Sequence, residues 1–367
     1  MRRYVIQTLV AILLILSTVL AALSCGDPYP PVKSTEEEAR TVMTLTHAGE
    51  TYDVKYELDR AFLIPLRDEM AKGLSDPWSG EAGEARRAAL LEAVDARVLE
   101  IYTTFALCRE LKIDLYDKKT EEAIDEYIRL DIEGDGSYDG YGSYDAYLAA
   151  LKEQYLNYAT AELLLRYSLG LEALYTHYIG TYDYISATYR DSALTVTDAD
   201  VDAFYAAEDT ARVMLIELPL GVYTDEEITL THETLSRLLA EEGEAAMTAW
   251  LLRHTAIAES VTRGEILSPY TLDPLFYGEV TSTALALSEG SLSDPITVRS
   301  DELNSVYLIY RMDKPASYLE DNRHTVDETY RYHLVGRELD RVRRSLEDSM
   351  TVTDLLRSLD VTAVTMR

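Results

Sequence analysis

Cysteine is nearly missing: Cys25 and Cys108 are the two in 367 residues, too few and too oddly placed for a disulfide framework. Basic charge is scarce as well. Against 65 Asp and Glu there are 34 Lys and Arg, a formal net charge of −31. A surface of that sign repels phosphate backbones, which excludes nucleic acid as a partner and leaves neutral or basic chains as the ones it would tolerate. The six histidines (47, 177, 232, 254, 324, 333) show no metal-ligand spacing, and no His-Glu-x-x-His occurs. Gly-x-Ser-x-Gly and phosphate-cradling glycine loops are absent too. Hydrolase, metalloenzyme and nucleotide-binding readings therefore find no support, and neither a metal nor a cofactor is expected. Apolar residues, at 47% of the chain, are plentiful enough for a globular core, and the length has room for two or three domains.

The amino terminus stands apart. Arg2 and Arg3 precede a stretch without charge from Tyr4 to Ser24, which reads as an export signal or anchor. Ala22-Leu23-Ser24-Cys25-Gly26 resembles a bacterial lipobox, in which the cysteine is lipidated and becomes the first mature residue. It departs from that pattern in having Ala22 three before the cysteine instead of Leu. Cleavage after Ser24 by ordinary signal peptidase, or an uncut span of the bilayer, are the other two outcomes. All three place the folded body outside the cytoplasm. Pro28-Tyr29-Pro30-Pro31 and Glu36-Glu37-Glu38 read as a solvated tether over residues 25–40.

The body is patterned mainly for helices. Thr41 to Val54 predicts a hairpin turning at Ala48-Gly49, then a helix over about 55–72 with Pro65 inside it. Leu91, Val94, Val98, Ile101, Phe105 and Cys108 step 3-4-3-4-3 along one face of a long helix over about 84–112, which makes Cys108 a small buried hydrophobe. Helices follow over about 120–131 and, as one or two, 144–185. Tyr144, Tyr147, Leu148, Leu151 and Tyr155 share a face there, a core-packing pattern that could also line a peptide-binding wall. Between them, DIEGDGSYDGYGSYD approaches the spacing of a calcium loop but has Gly142 where the bidentate Glu belongs, so it reads as a turn. Thr197-Asp198-Ala199-Asp200 opens a short capped helix. A strand over 211–218, helices over about 225–241 and 244–254, and a hairpin of residues 295–298 and 306–310 form a compact α+β stretch. A last long helix runs from Ser317 to about Met350 with Val335, Leu339, Val342 and Leu346 on one face, and residues 361–364 could add a strand.

The stretch Gly290-Ser291-Leu292-Ser293-Asp294-Pro295-Ile296, with Leu272 and Phe276 upstream and the hairpin after it, resembles the parvulin-type (PpiC-like) peptidyl-prolyl isomerases. The helices around it resemble the extracytoplasmic foldases of the SurA and PrsA kind. The motif covers about residues 208–313; the architecture covers most of the chain after the signal. The fold class implied is α+β: a mainly helical chaperone domain like the amino-terminal domain of SurA, an inserted parvulin-like α+β domain, and a returning carboxy-terminal helix. The expected segments are a signal peptide (1–24), the tether (25–40), the helical domain (41–207), the parvulin-like domain (208–313) and the returning helix (314–367).

The resemblance also implies a site. Isomerisation faces a barrier of about 18–20 kcal/mol from amide resonance, and lowering it needs only a pocket that favours the twisted amide over the planar one. Leu272 and Phe276 match the family's apolar wall. Its first histidine should fall at Met214 or Leu215 and its second at Tyr307, and none of these is histidine. The family's Cys or Asp falls within 256–261, where Glu259 is the stand-in. Met214, Leu215, Leu272, Phe276 and Tyr307 are thus the expected polypeptide-binding residues, with the Tyr307 hydroxyl as candidate catalytic group and Cys25 as lipid site. The function this implies is a membrane-tethered foldase or chaperone of unfolded exported proteins with weak or no isomerase activity. An active isomerase with a reworked pocket, and an envelope scaffold lipoprotein, are the alternatives.

Overall fold

The computed structural model describes residues 29–183, 186, 188–255, 259–272, 274–299, 304–354 and 360–365. The first sheet begins with β1 (Thr41–His47) and β2 (Glu50–Lys55), paired antiparallel with His47 opposite Glu50. Ala48 and Gly49 both have positive φ, the geometry of the two-residue turn that matches strand twist. Helix α1 (Tyr56–Ala71) follows directly and keeps Pro65 inside it. It packs on α2 (Gly80–Glu110), whose stripe of Val94, Val98, Ile101, Phe105 and Cys108 is buried in the same core as Val42, Met43 and Leu45 of β1. The Cys108 thiol lies 3.5 Å from the Gly170 carbonyl oxygen, and burial pushes its pKa up to about 12.

Helices α3 (Lys118–Glu133), α4 (Tyr144–Glu153) and α5 (Tyr158–Ile179) form a second cluster, in which Ile124, Ile128, Ile132, Tyr147 and Tyr158 are buried. The 144–185 segment breaks because Tyr155 has positive φ and Asn157 caps α5, accepting from the Thr160 amide. The α3–α4 connection is a turn held by Asp135, whose carboxylate accepts from the amides of Ser137 and Tyr138. A short hairpin, β3 (Thr181–Asp183) and β4 (Thr188–Arg190), comes where helix is expected. Its Tyr182 and Tyr189 face each other at 5.0 Å, and His324 stacks on Tyr182 at 3.9 Å. Helix α6 (Asp198–Ala206) starts with the full capping box of Thr197 and Asp200.

The second sheet is antiparallel in the order β6-β5-β8-β7, from β5 (Ala211–Pro219), β6 (Glu265–Leu267), β7 (Ile296–Arg299) and β8 (Asn304–Met312). Helices α7 (Asp225–Glu242) and α8 (Glu244–His254) cover one face through Leu235, Met247 and Leu251. After the one-turn α9 (Glu259–Thr262), α10 (Pro274–Ala286) covers the other through Tyr277, Val280 and Ala284. Burial on both faces is why the central strands read as near-continuous apolar runs.

Helix α11 (Ala316–Ser349) returns the chain, with a kink at Asn322. Its first half packs Tyr318, Leu319 and Val326 against Val201, Phe204 and Tyr205 of α6, and its second half delivers Val342 and Leu346 to the core of α2 and β1. The chain is thus an α+β protein whose helical body is interrupted by a sheet unit and then rejoined.

Two expectations need correction. The added strand is not at 361–364 but at β9 (Thr351–Val352), which pairs with Met43 and Thr44 of β1. Val361 and Val364 are buried instead in a turn that begins with Asp360 accepting from the Thr362 amide, and both of their carbonyls accept from Arg67. Nor is 29–40 a free tether. Glu38 pairs with Arg60 at 2.7 Å, Ser34 donates to Glu57, and Tyr29 packs on Tyr144.

Candidate functional site

The sheet face under α10 carries Tyr307 and Leu215, with Leu272 packed against it. Antiparallel register sets Tyr307 of β8 opposite Glu217 of β5 on one side and Ile296 of β7 on the other. Tyr307 has no exposed surface, and the Tyr277 ring stands edge-on to it at 5.9 Å. The Tyr307 side chain hydrogen-bonds with both Tyr277 and Glu217. Ser305, two residues along β8, donates to Glu217 Oε1 at 2.9 Å. Burial, then the Glu217 carboxylate, then Tyr277 raise the Tyr307 pKa well above that of an ordinary phenol. The hydroxyl therefore stays protonated: it can donate a hydrogen bond but supplies neither base nor nucleophile at neutral pH.

Side-chain alternation sorts the expected residues. Leu215 joins Tyr307, Ile309 and Tyr277 under α10, and Leu272 packs against the same cluster. Met214 does not join them. One step along a strand reverses the face, so Met214 lies on the opposite side with Ile216, Leu308, Leu235 and Met247. The Phe276 side chain and Cys25 lie outside the described residues, as do the Glu259 side chain and residues 256–258. Glu217 and Tyr277 escape the sequence reading. Glu217 has a signal there, a carboxylate two places beyond Leu215 in an apolar strand.

The glycine–serine–proline motif has a structural role. Gly290 has φ +77°, which favours glycine, and its amide donates to the Arg311 carbonyl at 2.8 Å. Ser293 is bonded twice to Ile309, its amide donating to the carbonyl at 2.8 Å and its hydroxyl accepting from the amide at 2.9 Å. The motif thus lies along β8 and feeds the chain into β7. Arg311, buried in the same place, donates to the carbonyls of Ala284 and Leu285 at the end of α10 and of Thr210 before β5. It fastens α10 over the sheet.

With Tyr277 seated on Tyr307 and both buried, a prolyl ring would have to displace α10 to reach the hydroxyl. An open cleft of about 560 Å³ lies elsewhere, between α6, the start of α11 and the Glu289 turn, lined by Asp202, Tyr205, Glu289, Lys314 and Leu319. The tyrosine face of α4 is spent on packing: Tyr147 is buried, and Tyr144 contacts Tyr29, Tyr147 and Tyr158. It forms no wall with α11, whose packing partners are α2, β1, α5, α6 and β6. No group of three His, Cys, Asp or Glu among the described residues could hold a metal ion. No helix among the described residues is long and apolar enough to cross a membrane.

No family model matches the chain, and no curated protein does. Solved structures similar to it include the foldase protein PrsA from Streptococcus pneumoniae, 13% identical, covering 87% of this chain and 98% of that one at a TM-score of 0.25. PrsA from Bacillus subtilis is 15% identical, covering 85% of this chain and 93% of that one at a TM-score of 0.23. At those TM-scores the likeness by itself says nothing of the site.

Proposed function

We propose that this chain is an extracytoplasmic, membrane-tethered chaperone of the foldase type, holding unfolded exported polypeptides, with a parvulin-like unit of weak or no isomerase activity. The observation that carries the second half is the burial of Tyr307 beneath Tyr277, at the position where the resemblance puts a histidine. A site that must strain a prolyl amide has to admit it first. Supporting the first half are the lipobox-like Ala22–Gly26, the helical body interrupted by a sheet unit, and an acidic surface suited to neutral or basic clients. The segments 41–207, 208–313 and 314–367 are the units proposed, with Leu272 and Phe276 as remnants of the family's pocket wall and Leu215 where its first histidine would fall. The purified protein from Cys25 onward should suppress aggregation of an unfolded client at stoichiometric ratios; failure with every client tried would sink the chaperone reading.

A second reading rests on the Glu217–Tyr307–Tyr277 hydrogen bonds, which could act as a reworked isomerase pocket if α10 lifts. A protease-coupled proline-peptide assay separates the two. We expect no rate above the uncatalysed one, which takes tens to hundreds of seconds at room temperature. Catalysis lost in both Tyr307→Phe and Glu217→Gln would establish the isomerase instead.

A further inference from the structure

We propose that the α3–α4 corner of the helical body is a lipid-facing surface, held at the membrane interface by Tyr29 and Pro30. The inference rests on the reading of Cys25 as the lipidated residue. The chain after it is docked almost at once. Tyr29 packs its ring 5.7 Å from that of Tyr144, the first residue of α4, and donates its hydroxyl to Glu133, the last of α3, at 2.8 Å. The Tyr144 hydroxyl in turn donates to the Pro30 carbonyl at 2.5 Å. Four residue steps separate Cys25 from Tyr29, a reach of at most about 14 Å for a fully extended chain. A lipid on Cys25 therefore brings this corner, and no freely chosen face, to the headgroups.

What the corner presents fits that position. The turn between α3 and α4 exposes Tyr138 by 47% and Tyr141 by 37%. A phenol has an apolar body and a polar tip and settles at headgroup level. The turn is stiff: Asp135 ties down the amides of Ser137 and Tyr138, and a Cβ at Gly134 would sit 2.2 Å from the Tyr138 carbonyl oxygen. Asp135, Asp139 and Asp145 at the same corner oppose anionic headgroups. The partner is accordingly the zwitterionic lipid interface, met through tyrosine.

The chain from Cys25 onward keeps every described residue and can be coupled through its Cys25 thiol to a maleimide lipid in phosphatidylcholine vesicles. Cys108 is 1% exposed and will not compete. Tyrosine iodination is then read by peptide mass spectrometry, tethered against free. Tyr138 and Tyr141 should be protected severalfold. Tyr116 is 70% exposed near the other end of α3, roughly 24 Å away at helical rise, and should not be. A long Gly-Ser spacer between Gly26 and Asp27 should abolish the protection, and added phosphatidylglycerol should weaken it. Equal protection of all three tyrosines, none at 138 and 141, or protection indifferent to the spacer would overturn the proposal. Whether Cys25 carries lipid in the native membrane is read separately, by the mass of the amino-terminal peptide. An unlipidated Cys25 would overturn both the anchor reading and this proposal, whereas a lipidated Cys25 with unprotected Tyr138 and Tyr141 would overturn the proposal alone.

Discussion

Asp59 is a buried carboxyl in α1: it has no exposed surface, and neither of its oxygens has a hydrogen-bond partner among the described residues. Burial, aided by Asp95 across on α2, pushes its pKa up to about 7; burial and Glu92 push Asp95 up to about 6. The folded state therefore holds a proton that the unfolded chain, with an ordinary carboxyl at 3.8, has already lost. Between about pH 4 and 7 the native state binds more protons, so stability falls as pH rises through that window. The loss for Asp59 is at most about 4 kcal/mol, taking 1.36 kcal/mol per unit. Denaturant midpoints should be lower at pH 8 than at pH 5, and Asp59→Asn should flatten the difference; an unchanged slope in the variant would refute the assignment. At Tyr307 the same scale of argument gives a stability effect. Tyr307→Phe leaves the Glu217 carboxylate short of a donor, at a cost of about 1–3 kcal/mol measurable by urea titration.

Among elements, the joint between the sheet unit and α11 depends on one close approach. A Cβ on Gly336 would lie 2.6 Å from Tyr270 Cβ and 3.0 Å from its carbonyl oxygen. Alanine in a helix interior is favoured over glycine by about 1 kcal/mol, but the atoms met are backbone or next to it and cannot rotate away. Overpacking of that kind costs about 1–3 kcal/mol, so Gly336→Ala should destabilise the protein by thermal denaturation; a higher melting temperature would show that the 268–271 turn yields freely. One helical turn back, His333 Nδ1 lies 2.9 Å from Ser268 Oγ, between the rings of Phe204 and Tyr270. Burial lowers its pKa below 6.5. The folded state then binds fewer protons than the unfolded, so this joint loses stability as pH falls through about 6.5 and below. Amide exchange of residues 268–271 should accelerate at acid pH, and His333→Gln should remove that acceleration. The capping boxes at Thr197 and Thr224 are in place, and both carry their signature in the residue order, Thr197-x-x-Asp200 and Thr224-x-x-Glu227. The β3–β4 hairpin was not legible. Its tyrosines are held by ring contact with His324 and by Arg331 lying 4.0 Å over Tyr189, both supplied by α11 well over a hundred residues later.

At the scale of the whole molecule, α11 packs on both the helical body and the sheet unit. Its length of 34 residues, about 51 Å at helical rise, reaches from α6 to the first core. Val342 and Leu346 are fully buried there, and large-to-small changes at such sites typically cost from about 1 to 5 kcal/mol. Leu346→Ala should therefore lower the unfolding midpoint seen by probes in the sheet unit as well as in the helical body. Separate midpoints would mean that α11 does not couple them. The charge of −31 acts on the same scale. Self-repulsion opposes the compact state and is screened within about 8 Å at physiological salt, so added sodium chloride should raise the melting temperature.

Residue order alone determined what is periodic or local. The stripe on α2, the turn at Ala48-Gly49, the Thr197 cap, the two central strands and the Gly290–Ile296 motif all follow from spacing within a few residues, because helix and strand repeats are set by the backbone itself. Tertiary structure decided what depends on which side meets what. Met214 and Leu215 are equal candidates in the chain, and the register of β5 against β8 sends them to opposite faces. Tyr307 could have been a reactive group or a core residue. The seating of α10, clamped by Arg311, placed Tyr277 over it. The pairing of Glu217 with Tyr307 joins residues ninety apart, and the energy that selects it is burial, a property of the packed whole that no short window of sequence contains.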